Sequence, residues 1–123
     1  LSSVVVRSID PDAVRRAADD WAMRLLNHRP EVDEIIVFGS FARGTFVPGS
    51  DLDVVIVLRE SERQFRDRIP EYLPGSFPVG MDLLPYTRTE LETTVAAGLM
   101  AEVRRSKWSY LRPGATSILH EGS

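Results

Sequence analysis

The chain has 123 residues, 43% hydrophobic and 27% charged, so one globular domain with a single core and no second domain is expected. Its net charge of −3 argues against a polyanionic partner, so no direct nucleic-acid binding is expected. The absence of cysteine excludes disulfides and thiolate zinc sites and suits the cytoplasm, and neither a membrane-length apolar run nor a signal-peptide pattern is present, so no membrane association is expected.

Asp10 before Pro11 marks a helix start, and Val14, Ala18, Trp21 and Leu25 then fall on one apolar stripe that closes before Pro30. Trp21 therefore belongs to the core, and His28 to the helix end, where a capping role is expected. Residues 34–38 form a short apolar strand, residues 40–43 one helical turn stopped by Gly44, and residues 45–50, with Pro48-Gly49, a turn. That turn brings the next strand, residues 51–58, back beside the first.

Residues 61–72 read as a short charged helix with Phe65 and Ile69 inward, interrupted near Pro70 and placed to overhang a ligand. A third strand covers residues 79–84. Residues 88–105 make one helix, or two joined at Ala97-Gly98, with Leu91, Val95, Leu99 and Val103 at helical spacing, and residues 108–111 make a last strand ended by Pro113-Gly114. Arg104, Arg105, Lys107 and Arg112 read as a solvated helix end beside an edge strand. Tyr110 is an amphipathic packing residue. The domain is expected over residues 1–114, with 115–123, including His120, as a mobile tail. The fold class is α/β (α+β): a small mixed sheet with helices packed on one face.

Chemistry concentrates in two short segments. In Asp51-Leu52-Asp53-Val54-Val55-Ile56-Val57-Leu58 the β-branched run is a strand buried on both faces, and residues two apart point the same way. Asp51 and Asp53 therefore share a face. Two such carboxylates repel at neutral pH and find no counter-charge on an apolar strand, a conflict that a hard divalent cation such as Mg²⁺ removes. Upstream, Gly39 sits at a strand-to-helix corner where backbone can approach a ligand, and Ser40 and the free N–H groups there form an anion site. Arg43, one turn on, is within reach of the same phosphates. Asp82, a lone acid inside an apolar strand, supplies a third carboxylate, and Gly80 leaves its face uncrowded.

The run Gly39-Ser40-Phe41-Ala42-Arg43-Gly44, then Ser50-Asp51-Leu52-Asp53, with Asp82 on a later strand, resembles the DNA polymerase β-type nucleotidyltransferase superfamily. Within it, the small size is similar to the minimal nucleotidyltransferases, over roughly residues 10 to 112. The resemblance implies a polymerase β-type core in which Asp51, Asp53 and Asp82 are catalytic and bind two Mg²⁺ ions. Gly39 and Ser40 match the triphosphate-binding corner, and Arg43 matches a position that is often basic. One ion would lower the pKa of an acceptor hydroxyl while the other neutralises the triphosphate and leaving pyrophosphate. The α-phosphorus is then attacked in line, with Asp82 orienting the nucleophile or accepting its proton.

A transferase needs an acceptor as well as a donor, and a chain this short is expected to leave one side of its cleft uncovered. The resemblance implies a helical HEPN-type partner protein, with the chain acting as the antitoxin of a toxin–antitoxin pair and transferring AMP from ATP to a partner tyrosine. A homo- or hetero-oligomer would cover the cleft. Two alternatives are a small-molecule hydroxyl acceptor, aminoglycoside-like, and a non-enzymatic module that masks a toxin by contact.

Overall fold

The computed structural model describes residues 9–120, except for the side chain of His120. Four strands form one sheet in the order β3-β2-β1-β4: β1 is Val32–Phe38, β2 Leu52–Leu58, β3 Met81–Thr87 and β4 Trp108–Leu111. β1 runs antiparallel to both β2 and β4, and β2 runs parallel to β3, so the sheet is mixed. A parallel neighbour requires a crossover, which the chain makes through α3, Phe65–Tyr72.

All seven residues of β1 are buried, and β2 is buried from Val54 to Leu58. Period-2 geometry sends these side chains to two different cores. Ile35, Val37, Val54 and Ile56 pack with Val14, Ala18 and Trp21 of α1 (Pro11–His28), while Ile36, Val55 and Val57 pack with Leu91 of α4 (Arg88–Thr93) and Met100 and Val103 of α5 (Ala97–Arg104). Each fully buried branched side chain contributes roughly 1.5–3 kcal/mol from removal of apolar surface. The expected fold class stands, but helices cover both faces of the sheet, because its central strands are apolar on both sides and leave neither face stable in water. The single core expected from length is accordingly two clusters.

Local signals account for most element boundaries. The Asp10 carboxylate accepts from the Asp12 and Ala13 amides, and all four expected stripe residues of α1 are buried. Trp21 donates its indole N–H to the Tyr72 carbonyl at 2.8 Å, a core tie between α1 and α3. His28 Nδ1 lies 2.9 Å from the Arg24 carbonyl oxygen at the last turn of α1, as a capping role requires. Thr87 and Glu90 form a reciprocal capping box that starts α4. The 88–105 segment breaks at residues 94–96, so Ala97 and Gly98 begin α5 instead of joining two helices.

Two expectations are corrected by long-range packing. In α3 Ile69 packs against the first core and Phe65 stacks on Tyr86, both half-buried and inward as expected, but Pro70 lies inside the helix without ending it before Tyr72, and the fully buried side chains are Arg68 and Tyr72. Arg68 is held there by Glu90, at 2.6 and 3.2 Å, and by the Pro85 carbonyl at 3.1 Å. The segment expected to be a mobile tail from Ala115 buries Ser117 and places Ile118 in the second core, and a short 3-10 helix covers Ile118–His120. Glu34 explains the anchorage: its carboxylate accepts from the Ser117 hydroxyl at 2.6 Å and the Ile118 amide at 3.0 Å. Residues 121–123 and the His120 side chain lie outside the described residues.

Within the basic cluster, Arg112 is structural. Its guanidinium donates to the carbonyls of Val32, Leu26 and Arg29 and ties the end of β4 to α1 and β1. Tyr110 packs at the sheet edge as expected, bonding Asp19 and accepting from the Trp108 indole, and burial pushes its hydroxyl up to about 12. No helix among the described residues is long and apolar enough to cross a membrane.

Candidate active site

Parallel pairing of β2 and β3 brings the starts of both strands to one end of the sheet. The Leu52 amide donates to the Gly80 carbonyl at 2.9 Å, and Asp53 then stands directly opposite Asp82 in the register. Asp51 lies one residue before β2. Asp53 is half-buried, while Asp51 and Asp82 are exposed. The expectation of Asp82 as an acid inside an apolar strand is thus corrected: it is the second residue of an edge strand, where its face of the sheet opens to solvent.

Two glycines make the carboxylate positions possible. A Cβ at Gly39 would lie 2.2 Å from Asp53 Oδ2, and a Cβ at Gly80 would lie 2.2 Å from Asp51 Oδ1, both far inside contact distance. Gly39 also has a φ of +75°, which L side chains rarely adopt. The space that the sequence suggested for a ligand beside Gly39 is, in part, space for Asp53 itself. Gly80, assigned only to relieve crowding near Asp82, instead seats Asp51.

The acids are uncompensated. Among the described residues the side chains of Asp51, Asp53 and Asp82 make no hydrogen bond and no ion pair. Burial raises the pKa of Asp53, and the charges of Asp82, Asp51 and Glu102 raise it further, in that order, while Arg43 opposes them. This is the electrostatic conflict expected of carboxylates gathered without a cation. No three acidic or imidazole groups among the described residues are drawn together closely enough to make a ready-formed metal cluster. The donor set nevertheless fits a hard divalent ion, since carboxylates that repel one another gain most from one.

The corner expected to take phosphates lies at the end of β1. β1 ends at Phe38, and Gly39–Arg43 form α2, closed by Gly44 in the left-handed conformation. Ser40 is half-buried at the start of this turn and Arg43 exposed at its end. Arg43 does not stand free: its guanidinium contacts Glu102 of α5 at 2.6 Å. A cavity of about 290 Å³ lies between α2 and the end of α5, reaching Gly39, Arg43 and Glu102. The sequence carries no local sign of Glu102, which stands 59 residues from Arg43.

The family described as "Nucleotidyltransferase domain" matches residues 21–105, which include every candidate residue named above. The chain is 31% identical over 81 residues to a bifunctional uridylyltransferase/uridylyl-removing enzyme of Burkholderia thailandensis, across 63% of this chain but 9% of that protein. A protein of the same description from Pseudomonas putida is 34% identical over 56 residues, 45% of this chain and 6% of that one. The chain thus spans a small fraction of the curated relatives it matches. A Sulfolobus solfataricus crystal structure, of a protein inferred to be a nucleotidyltransferase, superposes with a TM-score of 0.55 at 21% identity over 82% of this chain and 80% of that one. That likeness is one of fold.

Proposed function

Because the chain belongs to the nucleotidyltransferase domain family, we propose that it transfers a nucleoside monophosphate, AMP from ATP, to a hydroxyl of a helical HEPN-type partner protein, as the antitoxin of a toxin–antitoxin pair. The observation that supports the chemistry is the gathering of Asp51, Asp53 and Asp82 beside the Gly39-Ser40 corner. Mg²⁺ held by those three acids would supply charge neutralisation at the phosphates and activation of the acceptor hydroxyl. Gly39 and Ser40 approach the triphosphate through backbone and hydroxyl, and Arg43 adds positive charge. Asp82, on the open edge strand, accepts or orients the proton of the attacking hydroxyl. Exposure of Asp51 and Asp82 favours an acceptor as large as a protein, since neither is screened from an approaching surface.

A second donor is favoured by a specific observation: both curated relatives are described as uridylyltransferases, so UTP in place of ATP is the competing reading. One experiment separates these readings. The protein, Mg²⁺ and a co-purified partner are incubated with labelled ATP, GTP, CTP or UTP, alongside the Asp51→Asn and Asp82→Asn variants. The expected result is label from ATP on the partner, reduced at least about 100-fold in either variant. Label from UTP alone selects the uridylyl reading, and label on an added aminoglycoside selects a small-molecule acceptor. Transfer that survives both substitutions overturns the assignment of the acids. No transfer by the wild type, with partner toxicity still suppressed by both variants, makes the chain a masking module.

A further inference from the structure

Among the described residues, the crevice between α2 and α5 is lined by more positive charge than the Arg43–Glu102 ion pair consumes. Arg43 contributes from α2, and Arg105 and Lys107 from the end of α5 and the residues after it. Among the described residues, neither the Arg105 nor the Lys107 side chain forms an ion pair. Among the described residues Glu102 is the single carboxylate lining this space, and it engages Arg43 at 2.6 Å. Its side chain is 38% exposed and that of Arg43 56% exposed, so the pair is screened and readily exchanged.

We propose that Glu102 is a built-in competitor for the phosphate site, a carboxylate that holds Arg43 until a nucleotide's phosphates displace it. The proposal rests on the reading of the Gly39-Ser40 corner as a phosphate site. The geometry gives it two parts. A triphosphate at that corner meets Arg43 already neutralised, so binding exchanges one charge-assisted contact for another instead of adding one. It also meets a fixed negative charge at the mouth of the crevice. Releasing Arg43 from Glu102 leaves its full charge to the phosphates. Glu102 is therefore a positioning residue that sets nucleotide affinity without touching the reacting atoms.

Calorimetric titration with inorganic tripolyphosphate, which carries the charge of a nucleotide's phosphates without base, sugar or transfer chemistry, tests this directly. Four proteins are compared at low salt: wild type, Glu102→Gln, Arg43→Gln and the double variant. Glu102→Gln is expected to bind about two- to fivefold more tightly than wild type, the size of one exposed ion pair, with the gain shrinking as salt rises. Arg43→Gln is expected to bind more weakly, and Glu102→Gln is expected to recover little in that background. An equal gain with and without Arg43 overturns the competitor, reducing Glu102 to a general repulsive charge. Weaker binding by Glu102→Gln also overturns it, since Glu102 would then be holding Arg43 in its productive position. Binding by wild type without any gain in Glu102→Gln defeats this proposal alone. No tripolyphosphate binding by any of the four proteins defeats the phosphate reading of the corner and the competitor with it.

Discussion

Acidic side chains at opposite ends of β1 meet opposite fates. At the start of the strand, Asp33 and Glu34 are buried, and each is matched: Asp33 by Arg59 at 3.2 Å and Arg88 at 3.0 Å, Glu34 by the Ser117 hydroxyl and the Ile118 amide. Beyond its other end, Asp51, Asp53 and Asp82 gather with no hydrogen bond or ion pair to their side chains among the described residues. Burial of a charge costs several kcal/mol unless partners replace its water, so the first pair must be read as architecture. The second group leaves its electrostatic conflict unresolved within the chain. Such a conflict is the mark of a place prepared for a ligand.

Substitutions should divide along the same line. The largest effect is on catalysis: Asp82→Asn is expected to lower nucleotidyl transfer at least about 100-fold while leaving the melting temperature within a degree or two of wild type, because Asp82 is exposed and unpartnered. At the other end, Glu34→Ala is expected to cost about 3 kcal/mol of stability in denaturant melts, since it leaves a buried hydroxyl and amide without their acceptor. An unaffected melt for Glu34→Ala would erase the distinction between the two ends.

Gly80→Ala offers an intermediate probe. The new methyl must displace the Asp51 carboxylate, so transfer is expected to fall about tenfold or more, from misplacement alone. Its fold should hold, and an unchanged rate would show that Asp51 need not sit where Gly80 allows it.

The smallest expected effect is the most diagnostic of electrostatics. Asp53 has a raised pKa in the folded protein, through burial first and then through Asp82 and Asp51. Its protonated form is therefore favoured by folding. The resulting stabilisation is complete below the unfolded value near 3.8 and is lost as pH rises through the raised folded value. At neutral pH, Asp53→Asn should accordingly raise the metal-free melting temperature, and the gain should vanish as pH falls below the unfolded value. Millimolar Mg²⁺ should narrow the gap by stabilising the wild type and not the variant. A gain independent of pH would point to packing instead of charge.

Much of this arrangement is legible in the sequence. Asp10-Pro11, the α1 stripe, the Gly39–Gly44 corner and the 108–111 strand are local signals, set by dihedral preference and periodicity over a few residues, and each recurs in the fold. Period 2 predicts Asp51 and Asp53 on one face, although Asp51 lies one residue before β2. The same rule applied to the whole of β2 already implied cover on both faces, which the one-sided helix packing expected from the sequence overlooked. The burial of Arg68 was not legible in the charged 61–72 segment, because nothing near it announces Glu90. The last described residues looked like a tail, because the acceptor that anchors them is Glu34, far upstream.

By itself, the sequence determined which chemical groups are present and how they alternate along each strand: two acids two residues apart, a glycine corner with a serine and an arginine, and strands apolar on both sides. Only the tertiary structure decided what those groups face. It set Asp82 against Asp53, Asp53 against Gly39, Asp51 against Gly80 and Glu102 against Arg43. The physical reason is range: backbone preference acts over a few residues, whereas charge, close contact and burial act through space between segments that the chain order keeps apart.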